Sequence, residues 1–87
     1  MGPMLREWHQ LKKACRDALL LYGMGDFLEA LYDDAHTLAR VCNLSLTKRL
    51  DGVPICGFPR FQQGKYVSQL LKAGLRVSIS THRRGVR

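Results

Sequence analysis

The stretch that most constrains the fold is Ala18-Leu19-Leu20-Leu21-Tyr22, apolar at every position and bounded by Asp17 and Gly23. A run without alternation fits a strand covered on both faces, and it is far too short to cross a bilayer. Strands of that kind lie inside a sheet. The 87-residue chain, 46% hydrophobic and without a long polar tract, suits one small domain, with residues 5–80 as its core and 81–87 as a basic tail. A chain of this size buries only about 60–65% of its unfolded surface, so length alone suggests room for about one layer of helices on one sheet.

Around that strand the other elements fall into place. Leu5, Trp8, Leu11 or Lys12, and Cys15 recur at three-to-four spacing and predict an amphipathic helix ending before Asp17. Gly23-Met24-Gly25 reads as a turn closing the strand. Asp26 with Glu29 three residues on is a capping-box pattern, opening a second helix with its stripe at Leu31, Ala35, Leu38 and Cys42 and its end at Asn43. Leu44 to Lys48 alternates like a half-exposed strand, an Asp51-Gly52 turn follows, and Val53 to Phe58 predicts a short or irregular strand. Pro59 precedes a third helix with Tyr66, Val67, Leu70 and Leu71 on its apolar side and Gly74 beyond its end, and Arg76 to Ser80 alternates as a last strand. The predicted class is α/β in the α+β sense: a small mixed sheet flanked by about three helices, in the order αβαββαβ.

Fourteen Lys and Arg stand against seven Asp and Glu, a net charge of +7. This points to an acidic partner, nucleic acid first, with an anionic membrane surface or an acidic protein as alternatives. Basic residues cluster at element ends and loops as Lys12-Lys13, Lys48-Arg49, Arg60 with Lys65, and Arg83-Arg84, where they can contact phosphates from a rigid scaffold. Cys15, Cys42 and Cys56 form no CxxC pair and read as reduced, buried thiols of a cytosolic protein. His9, His36 and His82 are scattered, so no metal site is expected. The amino terminus lacks a signal-peptide pattern, and no GxxxxGK loop is present to hold ATP, so no cofactor is expected. The carboxylates Asp26, Glu29, Asp33 and Asp34 raise the thought of a metal-dependent nuclease. Asp33 and Asp34 diverge by about 100° on a helix and cannot converge with the others, which makes a solvated acidic face the better reading.

Local logic gives Phe27 and Glu29 structural roles. Glu29 would reach back to the Asp26 amide as a helix cap, and Phe27 falls within the apolar stripe of the second helix.

A wider comparison of blocks changes that balance. The run LLLYGMGDFLEALYDDA, then LSLTKR, PICGFP and KYVSQLLKAGLRVSI, resembles the amino-terminal mismatch-recognition domain of the DNA mismatch-repair protein MutS in order and approximate spacing. The resemblance covers about residues 5 to 80. It implies a small α/β domain that enters the minor groove at a mispaired or unpaired base, and a Phe-x-Glu motif whose Phe stacks on that base while its Glu hydrogen-bonds to it. Carried over, that Phe falls on Phe27 and that Glu on Glu29. Contact with a base acceptor needs Glu29 to donate a proton.

The chain departs from the family pattern in several places. Gly23 stands where the family usually has a bulkier basic residue, Leu28 replaces an aromatic, the connector shrinks to Leu50-Asp51-Gly52-Val53, and the basic tail replaces a final strand. The connector, lever, clamp and ATPase domains of the family have no counterpart in it.

The expected function is a non-enzymatic, ATP-independent DNA-binding module of the cytoplasm, associated with the nucleoid, that recognises mismatched, unpaired or distorted double-stranded DNA. Phe27 is its wedge, Glu29 its base partner, and Lys12, Lys13, Lys48, Arg49, Arg60, Lys65, Arg83 and Arg84 its weak backbone contacts. Three or four neutralised phosphates give a salt slope of about −3 to −4. The alternative is a protein-interaction module that recruits or competes with a repair factor without reading bases.

Overall fold

A computed structural model of the chain describes residues 2–80 and places Ala18–Met24 at the centre as a seven-residue strand, β1. Its consecutive residues serve two cores. Leu19 and Leu21 point to one face of the sheet, with Leu28, Ala35, Leu38 and Leu70, while Leu20 and Tyr22 point to the other, with Leu5, Trp8 and Leu31. An unbroken apolar run is what such a two-sided position requires.

Helix α1, Pro3–Ala14, with Pro3 in its first turn, lays Leu5 and Trp8 on the second face. Helix α2, Tyr32–Cys42, and helix α3, Gln63–Lys72, cover the first. The three expected helices therefore make two layers rather than the one that chain length suggested. Among the described residues no helix is long and apolar enough to cross a membrane.

The sheet is mixed and five-stranded: with β2 at Phe27–Leu31, β3 at Thr47–Lys48, β4 at Pro54–Pro59 and β5 at Arg76–Ser80, the order is β3-β4-β2-β1-β5. The second strand, β2, is Phe27–Leu31, where the capping-box pattern predicted the first turn of a helix. The element order is thus αββαββαβ, and the α+β class stands. Gly25 at φ 57 and Asp26 form a two-residue turn, and β1 runs on to Met24, which pairs with Phe27. A positive φ at the first turn position with glycine there is the pattern of a type II′ hairpin. β2 then pairs on its far side with β4, Pro54–Pro59, from Phe27↔Pro59 to Leu31↔Ile55. Ladders on both sides outweigh a local capping preference, and the Asp26 carbonyl accepts the Arg60 amide at 2.7 Å. The helix starts five residues later than expected, where Tyr32 at φ 56 turns the chain out of the strand.

β1 pairs with β2 only over Tyr22–Met24. Nearer its start, the Leu20 amide donates to Asp34 Oδ2 at 3.0 Å, and the same oxygen takes Lys12 Nζ at 2.8 Å. Lys12 also donates to the Ala18 carbonyl, so one carboxylate ties α1, β1 and α2 together. The expected solvated acidic face thus holds for exposed Asp33 and not for Asp34.

Asn43 ends α2 in the left-handed region, as its type suggested, and the Leu44 amide folds back to the Ala39 carbonyl. That turn takes Leu44 out of the sheet, and only Thr47–Lys48 form β3, against β4. The Asp51-Gly52 turn is present, with Gly52 at φ 85. β4 is a regular inner strand whose prolines sit at its two ends, where their missing donors cost little. A 3₁₀ turn, Arg60–Gln62, leads into α3, of which Leu71 is exposed rather than apolar-side. Strand β5, Arg76–Ser80, lies parallel to β1 at the edge.

Candidate nucleic-acid interface at the hairpin turn

Alternation along β2 sorts its side chains. Leu28 and Ala30 are fully buried against α2 and α3, which leaves Phe27 and Glu29 on the other face. Helix α1 shields that face around Leu20, Tyr22 and Leu31, and Phe27 lies past its reach, 46% exposed at the turn. Position 28, where the family pattern has an aromatic, faces the core, so its change to Leu leaves the Phe27 face untouched.

Glu29 lies between Tyr22 of β1 and Gly57 of β4. A Cβ at Gly57 would stand 2.8 Å from Glu29 Cγ, so the glycine supplies the space the carboxylate arm crosses. The arm borders a hollow of about 210 Å³ lined by Phe27, Ser45, Thr47, Ile55 and Gly57. Partial burial raises the Glu29 pKa above the usual carboxylate value, and Arg49 opposes part of the rise. A carboxyl shifted this way holds its proton to higher pH and can donate a hydrogen bond.

Gly23 accounts for the position of Arg60. The Arg60 guanidinium packs so closely over Gly23 that a Cβ there would be 2.7 Å from its Nη2. From there Nη2 and Nε donate to the Gly25 carbonyl at 3.0 and 3.3 Å. The space that a side chain at position 23 would enter is thus filled by the guanidinium of Arg60, which follows the end of β4. Arg60, Phe27, Asp26, Pro59 and Phe61 line an open, mainly apolar cleft of about 650 Å³.

The other basic residues are spread more widely. Lys13, Lys48 and Lys65 are exposed, the last with its ammonium 5.0 Å from the Tyr66 ring centroid. Lys12 is engaged by Asp34, and Arg49 by Asp51 and the Met4 sulfur. Arg83 and Arg84 lie outside the described residues. Among the described residues of the set, only Arg60 lines the Phe27 cleft, with Arg49 close enough to act on Glu29.

Two residues at this end escaped the sequence reading. Gly57 lies within the short or irregular strand expected over Val53 to Phe58, with no role of its own there. Phe61, 86% exposed, lies between Pro59 and the third helix, and at 100° per residue it falls about 140° from Tyr66 and so off the buried stripe.

A mixed sheet between two helical layers carries Phe27 and the half-buried Glu29 on one strand face, beside an open cleft lined by Phe27, Phe61 and Arg60, which is the form of a small α+β domain with a concave, aromatic-lined edge. The family model for MutS domain I matches residues 2–85, and the chain belongs to that family. It is 42% identical over 80 residues to the DNA mismatch repair protein MutS of Protochlamydia amoebophila, 43% over 81 residues to that of Persephonella marina, and 41% over 83 residues to that of Rhodopirellula baltica. These alignments cover 92%, 88% and 91% of this chain and 9% of each relative.

Proposed function

We propose that the chain is a non-enzymatic, ATP-independent DNA-binding module for mismatched, unpaired or otherwise distorted duplex, with Phe27 as the stacking wedge and Glu29 as the base hydrogen-bonding partner. The observation that carries this is Phe27 standing 46% exposed at the hairpin turn, with Glu29 two residues along on the same strand face and its pKa raised. A mispaired step has weakened stacking, so opening it to an aromatic wedge costs less than in intact duplex. A protonated Glu29 then meets a base acceptor without a buried charge.

Lys13, Lys48, Lys65 and Arg60, with Arg83 and Arg84 of a basic tail at 81–87, contact phosphates in this reading, while Lys12 and Arg49 add field from paired positions. The whole of 1–87 acts as one domain, in the cytoplasm at the nucleoid. The mismatch-repair names of the relatives support the substrate class.

Titration of labelled matched and mismatched duplexes of equal length across a salt series tests it. The expected result is tighter binding to the mismatch, with log K falling against log salt at a slope of about −3 to −4. The mainly apolar cleft beside Phe27 also suits an apolar anchor of a repair protein, the second reading. Salt-insensitive association with such a protein, and no DNA binding, would favour it.

A further inference from the structure

We propose that Phe61 is a second base-stacking side chain, and that the cleft it shares with Phe27 receives a nucleobase that has left the helical stack. The inference rests on the DNA-binding function proposed above and names a subsite within it. Phe61 is 86% exposed, although a ring of that size normally contributes to a core. Its backbone is held firmly. Pro59 pairs with Phe27 in the sheet, the Arg60 amide donates to the Asp26 carbonyl at 2.7 Å, and the Arg60 guanidinium holds the Gly25 carbonyl. The 3₁₀ turn that follows carries Phe61 outward beside the hairpin. An aromatic presented from a fixed backbone loses little freedom when something stacks on it.

The lining of the cleft fits a base better than a phosphate. Phe27, Pro59 and Phe61 give it apolar walls, and Arg60 adds a planar cation at one side. Asp26 adds an exposed carboxylate, which repels phosphate and can accept from an exocyclic amino group. Aromatic faces joined by a guanidinium plane are the means by which unstacked bases are bound. The net charge of +7 brings a polyanion to this surface, and the volume of about 650 Å³ leaves an open entrance. A wedge at Phe27 also produces the occupant, because the base it displaces leaves the stack beside it.

The test uses the 87-residue chain and a duplex carrying one unpaired 2-aminopurine, whose fluorescence is quenched on stacking, beside a matched duplex. Phe61→Ala should weaken binding to the bulged duplex by about 5- to 150-fold and remove the protein-induced change in fluorescence, with little change on the matched duplex. Phe61→Trp should restore both signals and Phe61→Leu should not. Thermal melts verify that these surface variants remain folded. If Phe61→Ala keeps parent affinity and the parent's fluorescence change while Phe27→Ala loses preference for the bulge, the second stacking side chain is refuted and the wedge stands. Equal losses on both duplexes would also refute it, by making Phe61 a general contact. Parent-like binding by both variants, or no DNA binding by the parent, overturns the wedge together with the subsite.

Discussion

Replacing Gly57 by alanine should strike the fold and the site at once. The added methyl would lie 2.8 Å from both Glu29 Cγ and the Leu28 carbonyl oxygen, and 3.3 Å from Glu29 Cα. The Glu29 arm can swing away, but the carbonyl and Cα belong to β2 and yield only if the β2–β4 ladder opens. Overpacking of this kind costs about 1–3 kcal/mol, and the stiffer unfolded chain returns about 0.4–1 kcal/mol. The middles of those ranges leave a net loss of about 1.3 kcal/mol, or a Tm lower by about 5–10 °C in a domain of this size. Glu29, pushed toward water, should also titrate nearer the ordinary carboxylate range, and preference for mismatched DNA should fall with it. Calorimetric melting and an NMR titration of Glu29 read the two effects. Adding Glu29→Ala should relieve only the Cγ contact and recover part of the stability loss. A Gly57→Ala protein as stable as the parent, with an unmoved Glu29 titration, would refute the packing reasoning.

Asp34→Ala removes the acceptor of the Leu20 amide and the partner of Lys12, and should cost about 1–3 kcal/mol in urea unfolding, while Asp34→Asn, which keeps an acceptor for Leu20, should cost less. Glu29 has a folded-state pKa raised above its unfolded value, so its contribution favours folding at low pH and is lost as pH rises from the unfolded value of about 4.5 through the folded one. Glu29→Gln should abolish that decline, bringing the variant level with or above the parent at pH 7, and urea midpoints at pH 4 and 7 compare them. Mismatch preference of the parent should weaken over the same rise in pH, which binding titrations at both values measure.

Much of the fold was legible because its signals do not depend on context. The all-apolar Ala18–Tyr22 run fitted an inner strand, Asn43 and Gly74 marked helix ends, and the Asp51-Gly52 turn stands where the residues suggested. The main miss, β2, came from a segment whose local chemistry favours a helix start and whose strand state is enforced by β1 and β4, neither of which is local to it. That miss obscured the site, since as helix residues Phe27 and Glu29 become core and cap. As strand residues they share one face, with Leu28 turned inward. Their assignment to function came from the resemblance of four blocks to a family. The space at Gly57, the ties of Asp34 and the seat of Arg60 over Gly23 could not be read the same way, because each depends on a partner from 14 to 37 residues away that only the fold brings near.

The most direct test of the account is the ratio of dissociation constants for matched and mismatched duplexes, measured by fluorescence anisotropy at one fixed salt for the parent and Phe27→Ala. The account predicts a parent that prefers the mismatch, and a variant that loses that preference through about 1–3 kcal/mol of missing stacking while keeping weak, salt-dependent binding to both. An unchanged preference in Phe27→Ala would contradict it.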